Sequence, residues 1–261
     1  MSGFERRSLG GDAWAHVSTG LEDAGFLAAF LERTGGSSAE PFDSLNVSFG
    51  VGDDPAAVLA NRRAAASAFG LKAFAVPGLV HGTTLTAVGP GRARDGFLGP
   101  AEALGKADGL HTRTAGLALG AFSGDCVIAV MGSPRERRVA MVHAGWRGLV
   151  SGILQKAATL FAERSEVRVG IGPAIGPCHY EVGEDVALAV TAASPSGAVT
   201  ERRKGRWYLD LVGTTRSILR EEGIRRLWDT GLCTTCERRR LFSFRAEGKT
   251  GRHLALAMRL A

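Results

Sequence analysis

The stretch Phe122–Gly148, FSGDCVIAVMGSPRERRVAMVHAGWRG, decides the reading of this chain. Two apolar runs, Cys126–Met131 and Val139–His143, flank the polar turn Gly132–Arg138. Short apolar runs bounded by turn residues are the mark of buried strands. An antiparallel hairpin would set the Cys that opens the first run across from the His that closes the second, at one end of a sheet. The chain then breaks at Gly145 and resumes as an apolar, helix-like run over Leu149–Phe161. A thiol, an imidazole, a glycine break, Arg147 and a helix start converge on one point.

Strands and helices extend outward from this hairpin. Gly116–Phe122, Val167–Gly172, Ile224–Leu232 and Leu254–Met258 read as strands. The run Val76–Val88, which holds His81, alternates branched and small polar residues and also predicts β structure. Gly25–Arg33 fits strand and helix spacing equally. Asp54 and Pro55 predict an N-cap and first turn for a helix that runs to Phe69 and stops at Gly70. Further helices are expected over Glu184–Ala193 and from Asp210. The loop Thr34–Ser48 is a surface loop or one that brings Asn46 to a pocket, Gly89–Lys106 is a long excursion that is either a lid or a disordered loop, and Gly172–Gly183 is a fixed irregular loop. Strands often come in pairs instead of alternating with helices, which excludes a regular doubly wound sheet and predicts a mixed-sheet α/β (α+β) fold. Residues 1–20 are expected to be a loose N-terminal segment and 21–261 one domain.

Composition narrows the function classes. With 45% apolar and 22% charged residues the chain is an ordinary soluble globular protein. Its net charge of +6 suits an anionic substrate, but no alternating basic–aromatic stripe marks a nucleic-acid surface. No apolar run is long enough to span a bilayer and the N-terminus lacks a signal core, so a cytoplasmic location with no membrane partner is expected. Four Cys in a chain this long are too few for a disulfide scaffold.

Four groups of residues can carry chemistry. His81, Cys126 and His143 suit a catalytic zinc with water in the fourth position. They equally suit a Cys126–His143 nucleophile pair, or a buried Cys with two satisfied His. Ala144–Gly148 ahead of a helix offers backbone N–H groups and the Arg147 fork to a phosphate or carboxylate, or is simply a strand-to-helix turn. Cys233-x-x-Cys236 is half a zinc site, with Cys178-His179 as an available second half, or a redox motif, although a structural role is the better expectation. In FRAEGKTGRH, Arg245, Gly251 and Arg252 either cap a hairpin or bring Arg252 over a pocket.

Taken together these motifs closely resemble one family. The matching pieces are RTGGSS with SLNVSFGVGDDPAAVLANRR, VHG, ADGL, GDC, VHAGWRGLVSGIL, GIGPAIGPCHYEVG, CTTC and FSFRAEGKTGRHLALAM, in that order and nearly end to end. The family is the YfiH/YlmD-like one, formerly described as multicopper polyphenol oxidases or laccases and now associated with purine nucleoside phosphorylase activity. The resemblance implies a layered α/β/β/α fold and zinc on His81, Cys126 and His143. It implies phosphorolysis of adenosine, inosine, guanosine or methylthioadenosine, with adenosine deaminase activity besides. Purine nucleosides and phosphate are then the expected partners. Arg147, helped by Arg62 or Arg252, is the expected anion site. Asp125 is either the residue that moves protons or a carboxylate orienting a ligand His, and Asn46 is expected to hydrogen-bond ribose or base. The competing readings are a metal-independent Cys–His hydrolase or deamidase and, with only six His in the chain, less readily a copper oxidase. The sequence departs from the family at Leu79, usually Gln, at Ser123-Gly124, usually Thr-Ala, and in the length of Gly89–Lys106.

Overall fold

The computed structural model describes residues 3–99, 104–194 and 200–261. The chain opens with an antiparallel hairpin, β1 (Phe4–Gly10) and β2 (Ala13–Ser18), a single turn α1 (Thr19–Glu22) and strand β3 (Phe26–Leu31). Helix α2 (Pro55–Ala68) follows, then β4 (Leu85–Ala87), β5 (Gly109–Thr112) and β6 (Ala118–Ser123). The central hairpin is β7 (Val127–Ser133) and β8 (Arg138–Ala144), continued by the short helices α3 (Trp146–Val150) and α4 (Ile153–Ala158). The rest comprises β9 (Arg168–Ile171), β10 (Glu181–Val182), α5 (Glu184–Ala193), β11 (Thr200–Arg203), β12 (Arg206–Leu209), α6 (Leu211–Glu221), β13 (Arg226–Asp229), α7 (Phe244–Glu247) and β14 (His253–Arg259).

Two large sheets and a small one organise these strands. The order β1-β2-β3-β14-β6 forms a wholly antiparallel sheet. The order β13-β9-β7-β8-β5-β4 is mixed, with β13–β9 and β4–β5 parallel. Strands β10, β12 and β11 make the third. Side-chain alternation shows how the large sheets stack. Ile128 and Val130 of β7 pack with Ala255 and Ala257 of β14 in an inter-sheet core. Val127, Ala129 and Met131 point the other way, onto α4 and α6 through Leu154, Ala157 and Ile218. Leu254, Leu256 and Met258 face Ala65 and Ala66 of α2 on the outer side of the first sheet. The result is the layered α/β/β/α arrangement that the resemblance implied, although only one of the two large sheets is mixed and the other is wholly antiparallel. No helix among the described residues is long and apolar enough to cross a membrane.

Four local readings need correction. Residues 4–18, expected to be loose, form a hairpin whose second strand pairs with β3. The polar side chains of β1 hid it, because Arg6 and Arg7 spend their charge on Glu32 and Glu22. The run Val76–Val88 yields only the short β4. Its N–H groups at Val80, His81 and Gly82 turn to the Asp108 carboxylate instead of a neighbouring strand. The helix expected over Leu149–Phe161 breaks at Gly152, whose φ of +83° is left-handed and gives two short helices. Within Gly89–Lys106, Phe97 is buried against Phe74, edge to face at 4.8 Å, so this part is packed against the first sheet; residues 100–103 lie outside the described residues.

Candidate metal centre and its cavity

The central hairpin forms at the expected place, but its register is shifted from the expected one: His143 pairs with Ile128, not Cys126, and Ala144 with Val127, so Cys126 lies just before β7, diagonal to His143. Cys126 still sits beside His143 at one end of the mixed sheet. The loop after Val76 delivers His81 to the same place. The three ligand-type atoms lie within 4.8 Å of one another, with Cys126 Sγ 3.9 Å from His81 Nε2. The two imidazoles meet edge to face at 4.9 Å.

Asp108 holds this group in place. Its buried carboxylate accepts from His143 Nδ1 at 3.0 Å, His81 N at 2.8 Å and Gly82 N at 2.7 Å. One carboxylate thus fixes the His143 ring and the backbone that carries His81, leaving His143 Nε2 for the centre. A carboxylate behind a ligating histidine is the arrangement that orients metal ligands. His81 has a φ of +59°, a conformation unusual for a residue with a Cβ, and the Asp108 contacts stabilise it. Burial pushes the Asp108 carboxyl up, but hydrogen bonds from His143, Gly82 and His81 outweigh it and hold it below its ordinary value.

Electrostatics favour a thiolate. Burial alone would raise the Cys126 thiol, but hydrogen bonds from His143 and His81 bring it down to about 6. Burial would lower His143, yet Asp108 and Cys126 raise it to about 9. Gly145 caps α3 against these ligands, and a Cβ there would lie 3.0 Å from both Cys126 Sγ and His81 Cδ2. Two imidazole nitrogens and a thiolate, braced by a carboxylate and exposed to a cavity on one side, fit a catalytic zinc with an open position.

The cavity has a volume of about 690 Å³, within the range of small-molecule sites. Phe49, Phe122, Trp146, Tyr180 and Phe244 give it aromatic walls, and Leu79 lines it as well. Arg147 reaches it stacked 4.4 Å over the Trp146 ring, making no ion pair among the described residues. Arg252 reaches it from β14's approach, its Nη1 donating to Thr250 O and Gly251 O and its pKa lowered by burial. The segment before β14 is therefore no hairpin cap. Arg245, from α7, also lines the cavity over Tyr180.

Asp125 lines the same wall with a φ of +126°. Burial pushes its carboxyl up against hydrogen bonds from Thr234 Oγ1 at 2.6 Å and Arg245 N at 2.7 Å. It is not the carboxylate that orients a ligand His; Asp108 is.

Two expected substrate contacts are differently placed. Asn46 does not line the cavity. Its Nδ2 donates to Asp53 Oδ2 at 2.7 Å and Ser48 O, and its Oδ1 accepts from Ser48 N and Arg252 N. It ties the Thr34–Ser48 loop to Arg252 and leaves nothing for a ribose. Arg62 does line the cavity but is embedded in its wall and almost wholly buried, its Nε and Nη1 donating to the carbonyls of Val47, Gly96 and Phe97. Its cation sits against Phe49 and Phe122, and burial lowers it to about 9. It supports the wall, and those donors are spent.

Sequence reasoning assigned no role to Asp108, although ADGL was one of the matching pieces. It also missed Tyr180, whose phenol burial and the nearby Cys126 push up to about 12. Neither residue has a local spacing signal, because both meet the site through tertiary contacts.

An α/β/β/α fold with a His–Cys–His group at the end of its mixed sheet defines the class. The family model described as multi-copper polyphenol oxidoreductase laccase matches residues 27–260, and the chain belongs to that family. It is 36% identical over 245 residues to a protein of Geobacillus stearothermophilus named purine nucleoside phosphorylase YlmD, covering 89% of each chain. It is 32% identical to purine nucleoside phosphorylase YfiH of Escherichia coli, covering 87% of this chain and 91% of that one. The crystal structure of YlmD from Geobacillus stearothermophilus matches with a TM-score of 0.91 and 31% identity over the whole of both chains. That of Bacillus licheniformis YfiH matches with a TM-score of 0.89 and 27% identity, again over both whole chains.

Proposed function

We propose that this protein is a purine nucleoside phosphorylase with zinc on His81, Cys126 and His143. The observation that carries it is one aromatic cavity lined at once by a braced His–Cys–His group and by Arg147, which makes no ion pair among the described residues. A purine fits between aromatic walls. Arg147, with Arg252 nearby, supplies a cationic end for phosphate. In phosphorolysis the bond from C1′ to the purine nitrogen breaks with its electron pair going to the base. A phosphate oxygen bonds to C1′, and a proton reaches the departing purine.

Each residue has a task in this scheme. Arg147 binds and orients the phosphate. Asp125, whose carboxyl burial pushes up and which lines the cavity, is the residue we assign to deliver the proton to the purine. Asp108 positions His143 and His81. Arg62 and Asn46 hold the wall and Arg252 from behind. His81, Cys126 and His143 would hold the zinc ion, which when bound would supply Lewis acidity. The same group beside a purine slot supports adenosine deamination as a second activity. Among the described residues, the two clusters of metal-type donors have too few histidines for a multicopper centre.

One observation favours a rival. Cys126, His143 and Asp108 also stand in the order of a Cys–His–Asp nucleophile, base and orienting carboxylate. Incubation of adenosine and inosine with and without phosphate separates the readings. Base and ribose 1-phosphate formed only with phosphate, and lost in Cys126→Ala, are expected. Inosine formed from adenosine without phosphate identifies the deaminase arm. Turnover of neither nucleoside by zinc-loaded protein contradicts the proposal.

A further inference from the structure

Cys233-x-x-Cys236 was expected to be structural filler, yet its thiols are not buried packing groups: Cys236 is exposed and Cys233 half-buried. The irregular loop Gly172–Gly183 brings Cys178 and His179 against them. The four donor atoms lie within 4.8 Å of one another. None of these residues lines the catalytic cavity.

The spacing of the donors is that of a tetrahedron around a metal. Zinc bound at ordinary bond lengths requires neighbouring sulfurs about 3.8 Å apart and sulfur and nitrogen about 3.5 Å apart. Cys178 Sγ and Cys236 Sγ are 3.6 Å apart. His179 Nδ1 lies 3.2 Å from Cys178 Sγ, 3.5 Å from Cys236 Sγ and 3.8 Å from Cys233 Sγ. One nitrogen 3.2–3.8 Å from three sulfurs is not the geometry of a disulfide pair plus bystanders. The backbone supports a thiolate as well, since Gly176 N donates to Cys233 Sγ at 3.2 Å. Ala174 forms an isolated parallel bridge with Cys233 and fixes the two loops in register. Three soft thiolates and an imidazole, with no position left open, select zinc in a structural site.

We propose that Cys178, His179, Cys233 and Cys236 form a second, closed zinc site that clamps the Gly172–Gly183 loop to the segment after β13. The clamp lies directly behind the catalytic wall. Thr234, between the two cysteines of the pair, donates to Asp125 Oδ1, and Ile175 N donates to Asp125 O at 2.8 Å. Tyr180 follows His179 and lines the cavity. The ion would thus fix Asp125 and Tyr180 without touching substrate. This inference does not depend on a metal in the cavity.

The test isolates the second site in the full chain. The variant with both His81→Ala and Cys126→Ala, purified under reducing conditions, is analysed for zinc, then exchanged with cobalt. One tightly held zinc per chain and the intense sulfur-to-cobalt bands of a tetrahedral thiolate site are expected. Adding Cys236→Ser should remove that zinc, those bands and part of the thermal stability, while Cys236→His should keep a bound metal. Cys236→Ser in the otherwise unchanged chain should lower the zinc content by one per chain, with a far-UV circular dichroism spectrum showing that the protein remains folded. No zinc in the double variant, with its thiols free or paired as a disulfide, would overturn the proposal. So would zinc content unaffected by Cys236→Ser.

Discussion

Asp108 carries more of the site than its position in the sequence suggests. It replaces a neighbouring strand as the acceptor for consecutive amides and fixes His143 at the same time. Asp108→Asn keeps the size but removes an acceptor and the charge. Zinc affinity at the cavity should fall by about 10–100-fold, measured by competition with a chelator. Arg147 and Arg62 make opposite predictions although both are arginines facing one cavity. Arg147→Ala removes charge-assisted hydrogen bonds worth about 1.5–3 kcal/mol, so KM for phosphate should rise about 10–100-fold with little change in KM for nucleoside. Arg62→Met should instead lower the free energy of unfolding by about 2–4 kcal/mol, read by denaturant titration, because it orphans three buried carbonyls. A phosphate effect confined to Arg62→Met would reverse these assignments.

At the scale of elements, the glycine between β8 and α3 sets how closely the ligands approach. Gly145→Ala places a methyl group 3.0 Å from Cys126 Sγ and His81 Cδ2. The folded variant should hold its cavity metal at least about tenfold more weakly, with an unchanged circular dichroism spectrum. The hairpin that delivers Cys126 and His143 was legible because its core strands are apolar on both faces and its turn is polar. The α2 helix was legible from Asp54, whose side chain does accept from Ala56 N. The break at Gly152 and the turn around His81 were not. Each depends on backbone partners distant in sequence or on a left-handed residue, and neither alters the local apolar pattern. The same reason explains why VHG, GDC and VHAGWRG pointed to His81, Cys126 and His143 while Asp108 stayed without a role.

For the whole molecule, layering concentrates the chemistry at one end of the mixed sheet and leaves its stability to other parts. One such part is Glu32 at the end of β3, buried and met by Arg6, His16 and Arg240. Burial would raise this carboxyl, but the bonds from Arg6 and His16 hold it near 2 against an ordinary 4.5. A depressed carboxyl stabilises the fold above its unfolded value. That contribution, about 3 kcal/mol, should be complete above pH 4.5 and fade as pH falls toward 2. Glu32→Gln should abolish this part of the acid dependence of unfolding. The N-terminal hairpin, joined to β3 partly through this group, was invisible in composition because its outer strand is polar.

The central claim is that the His81–Cys126–His143 group acts in phosphorolysis by holding a metal. The measurement that tests it most directly is hypoxanthine release from inosine, with phosphate, by protein stripped of metal and then supplied with zinc. The account predicts negligible release from the stripped protein, recovery on addition of zinc, and no recovery in Cys126→Ala. Full turnover by the stripped protein would contradict it and assign the chemistry to Cys126 itself.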